Sequence, residues 1–394
     1  MKDFVPAARL RGIEKSLIRQ VFDRAPAGSI NLGLGEPDLP TPDIIRRAAV
    51  RIIQEEQNGY TTHAGLPALR ERVSQDYAYL SPSLDRVIIT AGSQEALYLA
   101  LMTLVEEGDE VLLPDPGFVA YKAIVRMAGG QAVFYRLKAS EDFAFDPEAF
   151  RRKISDRTKA VVCVSPSNPT GRSLSRAELA AMAQALEGTD LYVISDEIYR
   201  ELHYTQERPG SLSEYYPRTL VIGGVSKSLS MTGWRIGWIC GDEAVVRSAL
   251  ILHGYVTTCA STVSQKAALA AWSEEAALAR ETIRRTFRSR RDELLRLLSG
   301  ELRLRAVVPD GAFYTMVDVS EYGGSVDVAE AMLEYGVITV PGAAFGDEGE
   351  GFLRVSFCAD APDLAEGARR MGLALRAMPK VSGRRSERSM ANHE

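Results

Sequence analysis

Lys227 and Arg235, eight residues apart, are the side chains of this sequence best placed to do chemistry. Lys227 follows a short apolar run at 219–222, whose β-branched residues predict a buried strand. A lysine just past such a strand can reach into a cleft, where loss of solvent lowers its pKa and makes the amine a nucleophile toward a carbonyl. Arg235 would supply fixed cationic donors for a phosphate or carboxylate. The alternative is a solvated loop lysine.

A second candidate is the turn of Gly92, Ser93 and Gln94, which follows a predicted strand at 86–90 and begins a predicted helix. The free N–H groups at a helix start, together with the positive end of the helix dipole, bind phosphate. The local sequence fits an ordinary helix start with Ser93 as the capping residue equally well.

Two further polar residues stand just past predicted strands. Asn168 follows the strand at 159–164, and its side-chain amide can donate a hydrogen bond to a ligand oxygen. Asp196 follows the strand at 191–195, where a carboxylate would be costly if buried without a partner. Turn chemistry and helix capping are the alternatives for these positions.

The composition indicates an ordinary soluble enzyme. The 394 residues are 46% hydrophobic and 25% charged, with a net charge of −5, which offers no basic face for nucleic acid. Four scattered cysteines and four scattered histidines predict neither a disulfide framework nor a metal site. There is no signal-peptide layout and no apolar run near the ~20 residues of a membrane helix, so we expect a cytoplasmic protein.

The order of predicted elements indicates an α/β fold. Five apolar strands alternate with helical stretches, which favours a mostly parallel, doubly wound sheet. The predicted strands lie at 86–90, 110–113, 159–164, 191–195 and 219–222. Ligands of such sheets gather beyond the carboxyl ends of the strands, where the candidate residues fall. Amphipathic spacing also predicts a helix over 9–24, and residues 300–378 resemble a small α+β domain.

The string SKSLSMTGWRIGW at 226–238 resembles the cofactor-lysine signature of class I and II pyridoxal-phosphate aminotransferases, which have fold type I. The motifs G-E-P-D at 35–38, N-P-T-G at 168–171 and R-V-S at 354–356 match the same family in the same order. The resemblance, which covers about 28–375, implies a large domain with a mostly parallel seven-stranded sheet between helices and a small α+β domain made of both termini. The resemblance implies an N-terminal segment 1–42, a cofactor domain 43–290 and a small domain 291–380. Residues 381–394 lack an apolar face, which predicts a disordered tail.

The resemblance also implies how pyridoxal 5'-phosphate would be held. Lys227 would form a Schiff base with the cofactor and serve as the catalytic base. Asp196 would hold the pyridine nitrogen positive, and Asn168 and Tyr199 would donate to the ring oxygen. Phe118 would stack on the ring; many aspartate-specific members carry tryptophan there, so the match does not imply a preference for aspartate.

The phosphate and the substrate have separate implied partners. Ser226, Arg235 and the turn at 92–94 would hold the phosphate, together with Tyr60 from the other subunit of a homodimer with shared active sites. Gly35 and Asn168 would line the substrate site, where Arg354 would bind the α-carboxylate. An arginine exposed on an edge strand is the alternative interpretation of Arg354.

The function implied is ping-pong transamination between an L-amino acid and a 2-oxo acid, with no metal, nucleic acid or membrane involved. A C–S lyase or synthase on the same fold is an alternative. A ligand-sensing half of a transcription regulator is a second one, disfavoured because only about 30 residues precede the G-E-P-D loop.

Overall fold

The computed structural model describes residues 4–81 and 83–381, so the tail predicted to be disordered lies, from residue 382 on, outside the described residues. The strands are β1 Ile30–Asn31, β2 Val87–Thr90, β3 Glu110–Asp115, β4 Gln131–Arg136, β5 Thr158–Val164, β6 Tyr192–Asp196, β7 Thr219–Gly224, β8 Gly237–Cys240, β9 Tyr314–Asp318, β10 Val337–Ile338, β11 Val340–Pro341 and β12 Phe352–Ser356. The α-helices are α1 Leu17–Arg24, α2 Asp43–Glu55, α3 Pro67–Asp76, α4 Ser93–Leu104, α5 Ala120–Met127, α6 Pro147–Arg151, α7 Arg176–Ala185, α8 Glu243–Val256, α9 Thr262–Ala268, α10 Glu274–Arg296, α11 Ser325–Glu334 and α12 Ala361–Ala377.

The large sheet has seven strands in the order β2-β8-β7-β6-β5-β3-β4. Its neighbours from β7 to β4 pair in parallel, and β8 runs antiparallel to both β7 and β2. The seven-stranded, mostly parallel sheet is therefore confirmed. The run of five strands predicted from the pattern alone lacks β4 and β8. The four residues of β8 were hidden because the strand is short and begins inside the cofactor-lysine signature at 226–238.

Helices cover both faces of this sheet because the strand side chains alternate in direction. In β7, Leu220 and Ile222 pack in the core that includes α4 and α8. The intervening Val221 packs in the opposite core, which includes α2, α3 and α9. Since strands buried on both faces cannot shift register cheaply, their carboxyl ends are held in fixed positions.

Two smaller sheets stand apart from the large one. The first has the order β11-β12-β9 with antiparallel pairing, and the second pairs β1 with β10 in parallel. The β1–β10 pair joins the N-terminal segment to the C-terminal part of the chain. The domain boundaries themselves stay predictions.

The long helix predicted over 9–24 is wrong in its first half. Only a short turn, Ala8–Leu10, precedes α1, and the α-helix begins after Ser16, whose hydroxyl accepts the Arg19 N–H. Gly12 lies between them with φ +74°, a left-handed conformation that breaks the helix. The helical spacing of the apolar residues could not reveal this break.

Across residues 4–81 and 83–381, no helix is long and apolar enough to cross a membrane.

Candidate active site

Lys227 lies in the turn after β7 and is directed toward the N-terminal segment. Its Nζ donates a hydrogen bond to the Gly35 carbonyl at 2.7 Å and lies 5.6 Å from the centre of the Phe313 ring. Burial lowers the pKa of the Lys227 amine, and the positive charges of Arg354 and Arg235 act in the same direction. The amine is thus easier to deprotonate than an exposed lysine, as a nucleophile or base requires.

Asp196, the last residue of β6, is a buried carboxylate without a cationic side chain in hydrogen-bond contact among the described residues. Its Oδ2 accepts the Tyr121 hydroxyl at 2.8 Å, and its Oδ1 accepts the Ile198 N–H at 3.3 Å. Burial raises the pKa of Asp196 to about 6, and the two hydrogen bonds and Lys227 offset only part of that effect. A cationic ring nitrogen would restore the charged form.

Gly92 caps the start of α4 with φ +90°, and the helix begins at Ser93. The interpretation of Ser93 as the capping residue is therefore wrong, since its side chain makes no capping hydrogen bond. The Arg235 guanidinium donates to the Ala91 carbonyl at 3.2 Å and closes over this turn. A Cβ at position 92 would lie 2.2 Å from Arg235 Nη2, so only glycine allows this approach.

These residues fit the phosphate end of pyridoxal phosphate. The Ser226 hydroxyl is buried and has no hydrogen-bond partner within the described part of the chain. Such an orphaned donor is costly unless a ligand satisfies it. Ser93 and Gln94 begin α4, where the first N–H groups and the positive end of the dipole are free, and Arg235 adds a charge. A phosphate is the anion that this cradle suits.

Arg354, in the middle strand of the β11-β12-β9 sheet, is only 3% exposed. The exposed edge-strand interpretation is therefore wrong. Its guanidinium donates to Asn168 Oδ1 at 2.8 Å and to the Gly33 carbonyl at 2.5 Å. It lies between two aromatic rings, 4.3 Å from Tyr314 and 4.8 Å from Phe345. Its buried Nε has no partner among the described residues, which leaves a donor for an incoming carboxylate.

The remaining predicted residues occupy different surroundings. Tyr199 is buried, and its hydroxyl lies 3.0 Å from that of Tyr314. Phe118 is half-buried and meets Tyr121 edge-to-face with ring centres 5.6 Å apart. Tyr60 is 89% exposed at the surface of its own chain, apart from the cluster around Lys227.

Sequence reasoning missed two contacts that hold the site together. Tyr121, three residues after Phe118, was given no role from the sequence, yet its hydroxyl donates to the Asp196 carboxylate. Tyr314 was not singled out at all, although it touches both Tyr199 and Arg354. The available signal for Tyr314 was its position at the start of β9, which does not identify a partner.

Comparison with known proteins agrees with this geometry. The family model "Aminotransferase class I and II" matches residues 27–371. A probable aspartate aminotransferase of Methanocaldococcus jannaschii is 36% identical, covering 91% of this chain and 96% of that protein. The aspartate/prephenate aminotransferase of Thermus thermophilus is 37% identical, covering 88% of this chain and 91% of that protein.

Solved structures give the same result. The Thermus thermophilus aspartate aminotransferase with maleate superposes with a TM-score of 0.90 at 34% identity, covering 94% of this chain and all of that one. The aromatic aminotransferase of Pyrococcus horikoshii superposes with a TM-score of 0.85 at 31% identity, covering 91% of this chain and 99% of that chain.

The fold and the site thus define an enzyme of the pyridoxal-phosphate-dependent class with fold type I. The chain belongs to the class I and II aminotransferase family. It is a pyridoxal-phosphate-dependent aminotransferase, with amino-acid and 2-oxo-acid substrates.

Proposed function

We propose that this enzyme moves the amino group of an L-amino acid to a 2-oxo acid in two half-reactions at the site around Lys227. One observation carries the proposal: the nucleophile and the anion-binding arginine meet at the same short segment. Lys227 donates to the Gly35 carbonyl and Arg354 to the Gly33 carbonyl. An amine and a buried guanidinium held this way can engage the amino and carboxylate ends of one small substrate.

Pyridoxal phosphate, when bound, supplies an electron sink for negative charge at the substrate α-carbon. Lys227 holds the cofactor and then, with its lowered pKa, takes and returns the proton at that carbon. Asp196 keeps the ring nitrogen cationic, and Tyr121 orients the Asp196 carboxylate. Asn168 and Tyr199 would donate to the ring oxygen, and Phe118 would pack on the ring face.

The phosphate is bound by Gly92, Ser93, Gln94, Ser226 and Arg235. The closeness of the Arg235 guanidinium to the turn and the unsatisfied Ser226 hydroxyl support this role. Arg235 already lies against the turn in the structure, so little ordering of this side chain is needed when the cofactor binds.

The substrate α-carboxylate binds Arg354 beside Asn168, with Gly35 lining the site. The relatives are named for aspartate, prephenate and aromatic amino acids, whose amino forms share the α-amino and α-carboxylate groups but differ in side chain. The surroundings of Arg354 support recognition of the α-carboxylate, which these substrates share. Among the described residues the Arg354 Nε has no partner, and the Tyr314 and Phe345 rings beside the guanidinium suit a planar carboxylate.

The enzyme acts as a homodimer with shared active sites, in which Tyr60 reaches the phosphate of the partner. The exposure of this tyrosine supports the role, as do Ile251 and Tyr255 of α8, which are 65% and 90% exposed. His63, three residues after Tyr60, lies against Gly254 of that helix. This places an apolar, exposed stretch next to the Tyr60 loop. The cytoplasmic location stays a prediction.

The test is whether turnover depends on an added acceptor. The holoenzyme mixed with an amino acid alone should form 2-oxo acid only up to the amount of enzyme, and continuous turnover should need a second 2-oxo acid. Sustained release of 2-oxo acid with ammonia or sulfide, and without an acceptor, would show lyase chemistry instead. Lys227→Ala is the inactive control.

A further inference from the structure

The hydroxyl oxygens of Tyr199 and Tyr314 lie 3.0 Å apart, and both side chains are buried. Tyr199 follows β6 of the large sheet, whereas Tyr314 begins β9 of the β11-β12-β9 sheet. Their hydrogen bond therefore connects the part of the chain that carries Asp196 to the part that carries Arg354.

The number of hydroxyl protons determines which of the two tyrosines donates in the hydrogen bond between Tyr199 and Tyr314. A tyrosine hydroxyl has one proton to donate and two lone pairs that accept. Burial raises the pKa of Tyr199 well above its usual range and that of Tyr314 to about 12, so both stay protonated at neutral pH. If the Tyr199 proton points to a ligand oxygen, the proton between the two hydroxyls must come from Tyr314.

Other contacts of Tyr314 fix the position of its ring and hydroxyl. Its ring lies 4.3 Å from the Arg354 guanidinium, and its edge meets Phe313 with ring centres 4.9 Å apart. A Cβ at position 35 would lie 1.6 Å from the Tyr314 hydroxyl oxygen, so the backbone at Gly35 also packs against it. The hydroxyl has little freedom to turn away from Tyr199.

We propose that Tyr314 is a positioning residue, whose hydroxyl directs the Tyr199 proton at the cofactor ring oxygen and whose ring supports Arg354. This inference rests on the proposed function, in which Tyr199 donates to that oxygen. Donation from Tyr314 also strengthens Tyr199 as a donor, because hydrogen bonds in a chain polarise one another.

The experiment is a pH titration of the visible absorption band of the holoenzyme, with bound pyridoxal phosphate as the probe. Tyr314→Phe should shift the titration midpoint in the same direction as Tyr199→Phe, but by less. It should lower kcat by about two- to tenfold, the effect of one hydrogen bond, with KM changed less. The matched control is Tyr216→Phe, since that buried hydroxyl donates to the Leu191 carbonyl and belongs to a different core.

A double variant decides whether the two hydroxyls act through one bond. Because Tyr314 acts through Tyr199, the variant Tyr199→Phe/Tyr314→Phe should titrate like Tyr199→Phe alone. Two shifts that add would contradict the proposal, as would a Tyr314→Phe midpoint equal to that of Tyr216→Phe. In either case the proposed function stands if Tyr199→Phe itself shifts the midpoint; if it does not, the role of Tyr199 fails as well.

The support of Arg354 by the ring is tested with Tyr314→Leu. Phenylalanine keeps the aromatic face over Arg354, whereas leucine removes it. The KM for an amino acid should therefore rise by about two- to thirtyfold in Tyr314→Leu relative to Tyr314→Phe. The rate with an amine that lacks the carboxylate should not separate the two variants. Equal KM values would overturn the support of Arg354, and thermal unfolding of each apoprotein establishes that the variants are folded.

Discussion

Arg354 donates a hydrogen bond to Asn168 over 2.8 Å, although 186 positions separate the two residues in the chain. Arg354 belongs to the middle strand of a three-stranded sheet, and Asn168 follows β5 of the large sheet. Arg354, the proposed carboxylate-binding residue, is thus hydrogen-bonded to Asn168, which is proposed to contact the cofactor. This contact brings substrate and cofactor sites together across two separate sheets.

Removal of Arg354 should affect every amino-acid substrate. An anion left unpaired in a closed site costs about 3–5 kcal/mol, so kcat/KM of Arg354→Ala should fall by about 10²- to 10⁴-fold. Arg354→Lys should not restore it fully, because lysine lacks the planar pair of donors. Steady-state kinetics with an amine lacking the carboxylate is the control, since its low rate should be nearly unchanged. Phe118→Leu should cost less than Arg354→Ala, and equal losses for amine and amino acids would mean that Arg354 is structural.

Lys227→Ala should remove both the visible absorption band of the holoenzyme and its activity. The rate should fall by at least about 10²- to 10⁴-fold, because the variant lacks the base that moves the α-proton. Absorption spectra and single-turnover assays measure the two effects. Lys153→Ala, at an exposed position, should behave as wild type. Retention of the band and of turnover in Lys227→Ala would refute the assignment.

Asp196→Asn should have opposite effects on the apoprotein and on catalysis. In the apoprotein the pKa of Asp196 is raised from 3.8 to about 6, so the folded state binds the proton more tightly. Its contribution to the free energy of unfolding therefore falls as pH rises from about 4 to about 6, by up to roughly 3 kcal/mol. Asparagine cannot ionise, so the variant does not lose this stability as pH rises. The free energy of unfolding of the Asp196→Asn apoprotein, relative to that of wild type, should therefore be higher at pH 7 than at pH 4.

Denaturant unfolding at both pH values measures this effect, with exposed Asp156→Asn as the control. The kcat of Asp196→Asn should nevertheless fall sharply, because the ring nitrogen loses its counter-charge. If kcat stays near the wild-type value, Asp196 only caps the turn at Ile198.

Ser226→Ala should weaken cofactor binding without destabilising the apoprotein. The Ser226 hydroxyl is buried without a partner among the described residues, so its removal should leave apoprotein stability unchanged or raised. A hydrogen bond to a charged phosphate contributes about 1.5–3 kcal/mol, so the Kd for pyridoxal phosphate should rise by about 10- to 100-fold. Thr103→Ala removes an equally orphaned hydroxyl of α4 and should leave Kd unchanged. The same Kd in both variants would exclude Ser226 from the phosphate site.

Tyr60 should act in the partner's active site. Tyr60→Ala and Lys227→Ala are each expected to be inactive or nearly so as pure homodimers. If subunits exchange, a mixture should regain activity, because one of the two sites in each hybrid dimer has both residues intact. Activity of the mixture and its mass by size-exclusion with light scattering are the measurements. A fully active monomer would contradict the shared site.

Much of the site could be predicted because it depends on strand ends. Asp196 is the last residue of β6 and Lys227 follows β7, and in a parallel sheet such ends meet at one edge. The resemblance assigned their roles, and the local pattern explained why those residues could converge. The helix start at Gly92 is likewise a local feature of the sequence. The contact of Arg235 with this turn, through the Ala91 carbonyl 144 positions away, is not local.

Only the tertiary structure decided which side chains touch across elements. Nothing in the spacing of Tyr121 or Tyr314 indicates their bonds to Asp196 and Tyr199, because such contacts depend on how separate strands and loops are placed in space. The burial of Arg354 is another case, since both faces and both edges of its strand are covered by other parts of the chain. Local periodicity reports one face of one element; the packing of several elements determines which polar groups lose water and must find partners.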